Sequence, residues 1–340
     1  MARSGGSLRT YLLARLALAL PMVLILLTMV FLLMRVAPGD PVQSAVGGRL
    51  PPDQIAEIRA NAGIDDPLIV QYFTYLGDVA TLNFGETITD NRPVSDVIIE
   101  SGGATLTLSL AAFLVAVLLG LPLGLLAGRY RDTAVDGTLR IFGILTYAAP
   151  VFWVGLLMQL LFGIILGWLP TSGEADPVTF VDEVTHILLI DALIAGDTEA
   201  FWDAVQHLIL PAVTLGLLVT GTFLRLTRVN VMQALKGDYI EAARARGIGE
   251  RSVVVRHAFR NALVAVVTVM GLQVALLLAG ATLTELTFDW PGLGAELINY
   301  LNERDYIAVQ GIVTVFALVV VVISIVIDLV NALIDPRVRY

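Results

Sequence analysis

The chain has 340 residues, of which 57% are hydrophobic and only 15% charged, whereas an ordinary soluble domain has about a quarter charged. That apolar surplus is more than one soluble core holds, so a bilayer must solvate it. The net charge is −9 and cysteine is absent, which excludes disulfides, thiolate metal sites and cysteine nucleophiles.

Arg3, Arg9 and Arg15 precede the first apolar run, Leu16 to Met34. It is too long for the core of a signal peptide. Arg35-Val-Ala-Pro-Gly-Asp follows it in place of a small-residue cleavage site, so the run reads as a retained helix. Further on, Pro51-Pro52-Asp53 opens a short amphipathic helix with Ile55 and Ile58 on one face, stopped at Gly63. The later apolar runs are Ala104 to Gly128, Ile141 to Leu166, Leu208 to Leu224, Ala262 to Thr284 and Tyr306 to Ile327. None of these runs contains Asp, Glu, Lys or Arg, and each meets or approaches the ~20 residues a membrane-spanning helix needs. Leu208 to Leu224 is the shortest and holds Pro211. Barrel strands would alternate apolar and polar residues, and these runs do not. The expectation is an all-α, polytopic protein with six transmembrane helices.

The connecting segments alternate in charge. Residues 129–140 carry Arg129, Arg131 and Arg140, and residues 225–261 are strongly basic. Residues 36–103, 167–206 and 285–305 are acidic. Positive-inside reasoning then puts both termini in the cytoplasm and the chain in the cell membrane as a multi-pass protein, with a strongly acidic outer face. High-salt solvation and partner docking both remain open as reasons for that acidity. In the second outer segment Ile187, Leu188, Ile190, Leu193 and Ile194 recur at helical spacing among Asp182, Glu183, Asp191 and Asp197. It reads as a helix on the outer membrane surface.

The inner segment 225–261 has internal architecture. Asp238 follows Gly237 and suits a helix cap, with Glu241 at the capping-box position. Arg244 and Arg246 suit the other end of the helix dipole. Gly247 and Gly249 break the helix, and a second helix from about Arg251 runs into the fifth span. Such a short exposed helix fits either a cleft in another protein or an anionic lipid surface. On pattern alone both readings stand.

Other chemistry is poorly supported. There is no Gly-x-x-x-x-Gly-Lys-Ser/Thr loop, and Lys236 is the single lysine. His186, His207 and His257 lie in loops or at span ends, without hydrolase or metal-binding motifs. No catalytic residue, metal site, bound cofactor or nucleic-acid partner is therefore expected. With no ionisable group inside the spans, an ion-coupled secondary carrier is the alternative rather than the main reading. Asp328 near the inner end of the last span reads as an exposed or arginine-paired carboxylate. Gly120, Gly124 and Gly128 read as a close-packing face. Trp168 and Trp290 read as interfacial anchors. Trp290, Pro291, Gly292 and Gly294 form a tight outer turn, a candidate gate.

The stretch Asp238-Tyr-Ile-Glu-Ala-Ala-Arg-Ala-Arg-Gly-Ile-Gly resembles the EAA motif of ABC importer permeases, with Glu241, Ala242, Ala243 and Gly247 at the matching positions. Arg256-His257-Ala258-Phe259-Arg260-Asn261 resembles its continuation in the dipeptide and oligopeptide branch, first-permease type. The likeness extends to Arg35-Val-Ala-Pro-Gly-Asp-Pro, Gly167-Trp-Leu-Pro-Thr-Ser-Gly, His207-Leu-Ile-Leu-Pro, Trp290-Pro-Gly-Leu-Gly, Arg304-Asp-Tyr and Asp335-Pro-Arg. Phe259-Arg260 replaces the Leu-Pro of the general motif, a departure usual in this branch. Ala265 stands near where the branch has proline, which should leave the fifth span straighter.

The resemblance implies a type I ABC importer fold. An N-terminal helix with a large outer segment (1–100) would precede a permease domain (101–334) and a cytoplasmic tail (335–340). The implied partners are a second permease, two ATPase subunits that use ATP and magnesium, and an external substrate-binding protein. Asp238, Glu241, Ala242, Ala243, Gly247, Arg256, His257 and Asn261 would couple the chain to the ATPases. Peptides are the implied substrates, with nickel or saccharides as alternatives.

Overall fold

The computed structural model describes residues 8–36, 51–61 and 65–334. Gly63, most of Arg35-Val-Ala-Pro-Gly-Asp-Pro, Arg3, Asp335-Pro-Arg and the tail 335–340 lie outside the described residues. Among the described residues the regular elements are all helical, joined by one isolated antiparallel bridge between Glu86 and Pro93.

Helix α1 is Leu8–Val36, α2 is Pro52–Asn61 and α3 is Leu68–Ala80. The first run is thus a helix, and the Pro-Pro-Asp signal opens α2 as expected. α1 packs on α3 through Leu27, Phe31, Tyr75 and Val79. The Thr28 and Tyr72 hydroxyls share a hydrogen bond of 2.7 Å, and Arg35 Nε donates to Gln71 Oε1 at 2.7 Å.

Helix α4, Val94–Arg129, has 36 residues, or about 54 Å at 1.5 Å per residue, well over the membrane thickness. It runs unbroken through residue 100. Helix α8, Thr198–Ala234, has 37 residues and is the partner with which α4 makes the most extensive contact in the molecule. The span expected at Leu208 to Leu224 is therefore only its middle. The signal for the true start is Asp197, whose Oδ1 accepts the backbone N–H groups of Glu199 and Ala200 at 3.0 Å. Ahead of it, α7 (Leu188–Ala195) ends at the left-handed Gly196. The helix read over these residues is therefore present, and Asp191 within it is buried and accepts from the Thr185 N–H and hydroxyl.

The α4–α8 contact is close because glycine faces backbone. A Cβ on Gly124 would sit 2.6 Å from both the Leu224 carbonyl and Thr227 Cβ. Gly120 meets Phe223 and Thr220, and Gly128 meets Val231. This is the packing face read from the sequence. In lipid, where apolar area gives no net drive between helices, such close approach supplies the attraction. Around it Ala112, Ala116, Leu215, Val219 and Phe223 form the main core with Leu277 and Ala281.

The run Ile141 to Leu166 is not one straight span. Helix α5, Ala134–Ala148, ends before Pro150, and Ala149 is extended. α6, Val151–Met158, with the π-helical Gln159–Ile165, then leaves at 106°. Proline disfavours the helical conformation in the residue before it, which explains the break. Gly143 of α5 lies against Gly221 of α8 with no side chain between.

After α9 (Asp238–Ala245), a turn at Glu250–Ser252 and a π-helical stretch Val253–Phe259 lead into α10, Arg260–Phe288. The straight course expected from Ala265 is not observed. The axis bends by 40° between Glu250–Leu263 and Ala265–Gly271, just after the π-helical stretch, and π segments are a recognised cause of kinks without proline. Helix α11 is Leu293–Glu303 and α12 is Tyr306–Ile334. Asp305 is buried and starts α12, with Oδ1 accepting the Ala308 N–H at 3.1 Å. Its Oδ2 holds the N–H groups of Ile88 and Thr89. Arg15 of α1 pairs with Asp328 of α12 at 3.2 Å, one of the two states expected for that carboxylate.

Four helices among the described residues are long and apolar enough to cross a membrane, and the two bent pairs bring the number to six if each is one span.

Replacing Gly124 by leucine should lower the melting temperature of the detergent-purified protein, because overpacking of this kind costs about 1–3 kcal/mol. Replacing Gly137, whose Cβ position is open, should leave it nearly unchanged. Thermal unfolding by intrinsic fluorescence checks both.

Candidate functional site

Two places carry the residues singled out in the sequence. The first is the basic loop around α9. Gly237 is extended and occupies the N-cap, and no side chain caps the helix. Asp238 is therefore the first helical residue, and the expected capping box does not form. Its charge still favours the helix N-terminus. At the other end Gly247 is left-handed, φ +74°. Its N–H bonds to the Arg244 carbonyl at 2.9 Å and the Ile248 N–H to that of Ala243 at 3.2 Å, a Schellman closure. Gly249 does not share that role. It is extended and caps the next turn.

Ile240 and Ala243 are buried against Ala234, Val253 and Ala258, with Ile248 half-buried at the edge. Asp238, Tyr239, Glu241 and Ala242 face outward. The two alanines of Glu-Ala-Ala thus differ: Ala243 seats the helix and Ala242 is presented. Arg244 straddles the turn and donates to both carboxylate oxygens of Glu250, at 3.1 and 2.7 Å. Asn261 Nδ2 donates to the Tyr239 hydroxyl at 3.0 Å, tying α9 to the start of α10. Arg256 is exposed and His257 half-buried. A shallow groove of ≈ 570 Å³ beside the turn is lined by Gly249, Glu250, Arg251, Ser252, Val255 and Arg256. The loop is a knob with one face packed and the other exposed.

The second place is the turn Trp290–Gly294. Trp290 is not an interfacial anchor. It is 1% exposed, and its indole N–H donates to the Ala104 carbonyl of α4 at 3.0 Å. Trp168, by contrast, is 66% exposed. The turn is held by Glu285, which sequence reasoning counted as a loop acid but which lies inside α10 and is fully buried. The Thr105 hydroxyl donates to Oε1 at 2.7 Å, and the Ala295 N–H to Oε2 at 2.9 Å. Thr105 Oγ1 in turn accepts the Leu293 N–H at 2.8 Å. Gly292 and Gly294 lie directly on the carboxylate, where a Cβ would not fit. Sequence reasoning missed Glu285 because it stands one residue beyond an uncharged run. Its signal was an acid seven residues before Gly292 and nine before Gly294, two glycines in one short turn.

The sequence model for "Binding-protein-dependent transport system inner membrane component" matches residues 120–340, and that for its N-terminal portion matches residues 8–111. The chain belongs to this family. Like it, the permease is a multi-pass inner-membrane protein, the transmembrane transport subunit of a binding-protein-dependent ABC importer. The permease is 40% identical to the di/tripeptide transport system permease protein of Pseudomonas aeruginosa, over 96% of this chain and 97% of that one. It is 37% identical to the dipeptide transport system permease protein of Escherichia coli K12, over 97% and 98%. It is 35% identical to a glutathione transport system permease protein of Salmonella choleraesuis, over 97% and 99%. The fold matches the inward-facing MetNI methionine ABC transporter with a TM-score of 0.52 at 15% identity, over 70% of this chain and 96% of that one.

Glu285→Ala strips acceptors from Thr105 and from the Ala295 N–H, each worth about 1–3 kcal/mol when left buried and unpaired. It should open the turn to limited proteolysis and lower the melting temperature, with Glu285→Gln milder.

The loop beside this turn is bonded to it, Gly173 N–H to the Phe288 carbonyl at 2.9 Å. Burial, with a smaller push from the Glu183 charge, raises the neighbouring Glu174 carboxyl to about 7. The folded loop therefore holds a proton that the unfolded loop releases. Its stability is fullest below the ordinary carboxylate range and is lost as pH rises through about 7. Hydrogen exchange across residues 167–187 should show more protection at about pH 5 than at about pH 8, after correction for intrinsic rates, and Glu174→Gln should remove the difference.

Proposed function

We propose that this permease carries short peptides, of two or three residues, inward across the membrane, driven by ATP hydrolysis in two partner ATPases that grip α9. The observation that carries the coupling assignment is the exposed α9 knob, closed at Gly247 and seated on α8 and the π-helical stretch Val253–Phe259 through Ile240 and Ala243. A lipid-binding helix needs an apolar face turned outward. Here the apolar face is turned inward and the presented residues are Asp238, Tyr239, Glu241 and Ala242. That arrangement favours a protein cleft over a lipid surface.

The remaining parts follow the same reading. A second permease completes the pathway, an external binding protein delivers the peptide, and both termini lie in the cytoplasm. Supporting the orientation, the basic segments 129–140 and 225–261 alternate with acidic ones. Full-length likeness to dipeptide, di/tripeptide and glutathione permeases supports a short peptide over nickel or a saccharide. Trp290, Pro291, Gly292 and Gly294, locked to α4 and α10 through Glu285, act as part of a wall that moves with those helices when the outer side opens.

Affinity purification from mild detergent should recover a second permease, two ATPases and a binding protein. Recovery of the chain alone, active in ion-driven uptake, would instead support a secondary carrier. In the reconstituted complex, Gly247→Val forces a β-branched residue into a left-handed conformation. It should leave membrane insertion intact and abolish the ATPase stimulation caused by peptide-loaded binding protein.

A further inference from the structure

The inner ends of α5 and α8 are joined by an ion pair that the coupling motif does not contain. Asp136, in the first turn of α5, is fully buried, and the Arg228 side chain of α8 is 15% exposed. Arg228 donates Nε to Oδ1 at 2.6 Å and Nη2 to Oδ2 at 2.8 Å, a two-pronged match. The Asp132 N–H donates to Oδ2 at 3.0 Å, and Arg140 Nε stands 3.7 Å from Oδ1.

A buried pair of this kind adds little net stability over apolar residues of equal volume. What it does supply is register, because a planar guanidinium meets both carboxylate oxygens in only one relative position of the two helices. Its placement gives that register a use. Arg228 lies near the end of α8, and Ala234 at that end packs into the same small core as Ile240 and Ala243 of α9. Displacing α9 therefore displaces the end of α8. α5 is a short rigid rod of 15 residues, about 22 Å long. Its inner end is held by Asp136, its middle touches α8 at Gly143 and Gly221 without intervening side chains, and its outer end is the break before Pro150.

We propose that Asp136 and Arg228 are positioning residues for transport: they make α5 move with the coupling end of α8, so that a push on α9 reaches the bend at Ala149–Pro150. The Gly143–Gly221 contact serves as the pivot. This rests on the reading of α9 as the ATPase-docking helix.

The test uses the complete transporter in lipid nanodiscs and in proteoliposomes, with peptide-loaded binding protein. Asp136→Leu with Arg228→Met removes the pair without leaving a buried charge. The double variant should assemble, bind the ATPases and keep its stimulated hydrolysis, while peptide transported per ATP falls by about tenfold, as a coupling loss of ~1.4 kcal/mol gives. Arg228→Lys keeps the charge but not the fork and should fall in between. Wild-type transport per ATP in the double variant would overturn the proposal. So would failure of that variant to assemble, since the pair would then merely hold the fold. The docking reading is judged separately: stimulation unchanged in Gly247→Val would overturn that reading, and the relay with it.

Discussion

The close approach of α4 and α8 is the contact on which the other elements depend. In a membrane, apolar area alone gives helices no reason to associate, so attraction must come from atoms brought near one another. Gly120, Gly124 and Gly128 on one helix, and Gly216 opposite Ala112 and Val115, remove the side chains that would hold the backbones apart. Because both helices are far longer than the membrane is thick, the frame they make carries attachment points at both ends. At one end of α4, Ala104 and Thr105 receive Trp290, Leu293 and Glu285. At the opposite end of α8, Arg228 receives Asp136 and Ala234 receives the α9 knob.

Those attachments are polar, buried and satisfied. Asp136, Glu285 and Asp305 are each fully buried, and each accepts hydrogen bonds from more than one helix or loop. An unpaired carboxylate in such surroundings would be strongly destabilising. Paired, it does what apolar packing does not, which is to select one geometry. The frame is thus pinned at its ends by directional contacts and along its middle by close contact. The α9 knob, by contrast, is seated on one face and bare on the other.

Much of this was legible in the sequence. Apolar runs located the helices, Gly247 marked the left-handed end of α9, and the glycines four residues apart marked the face of α4. The misreadings share a cause. The lengths of α8 and the burial of Glu285 and Trp290 were misjudged because hydropathy counts a residue by its neighbours in the chain. Glu285 and Trp290 flank the end of α10, where chain neighbours suggest an aqueous loop, while their spatial neighbours are Thr105 and Ala104, about 180 residues away. Asp238 and Glu241 fitted a capping box, yet Gly237 took the cap, leaving both carboxylates outward on the presented face.

By itself the sequence determined what local physics decides: helices where uncharged runs demand a bilayer, their alternation with basic and acidic loops, and a terminated helix within the longest basic loop. It also carried enough of the family's pattern to name the class of transporter. Only the tertiary structure decided which charges are buried and what each one holds, that the third apolar run is broken before Pro150, and that Ala243 is buried while Ala242 is exposed. These depend on which distant residues meet. Asp136 and Arg228 are separated by 92 positions, and nothing in the local pattern of either marks the other as its partner. Long-range pairing is settled by how the helices pack.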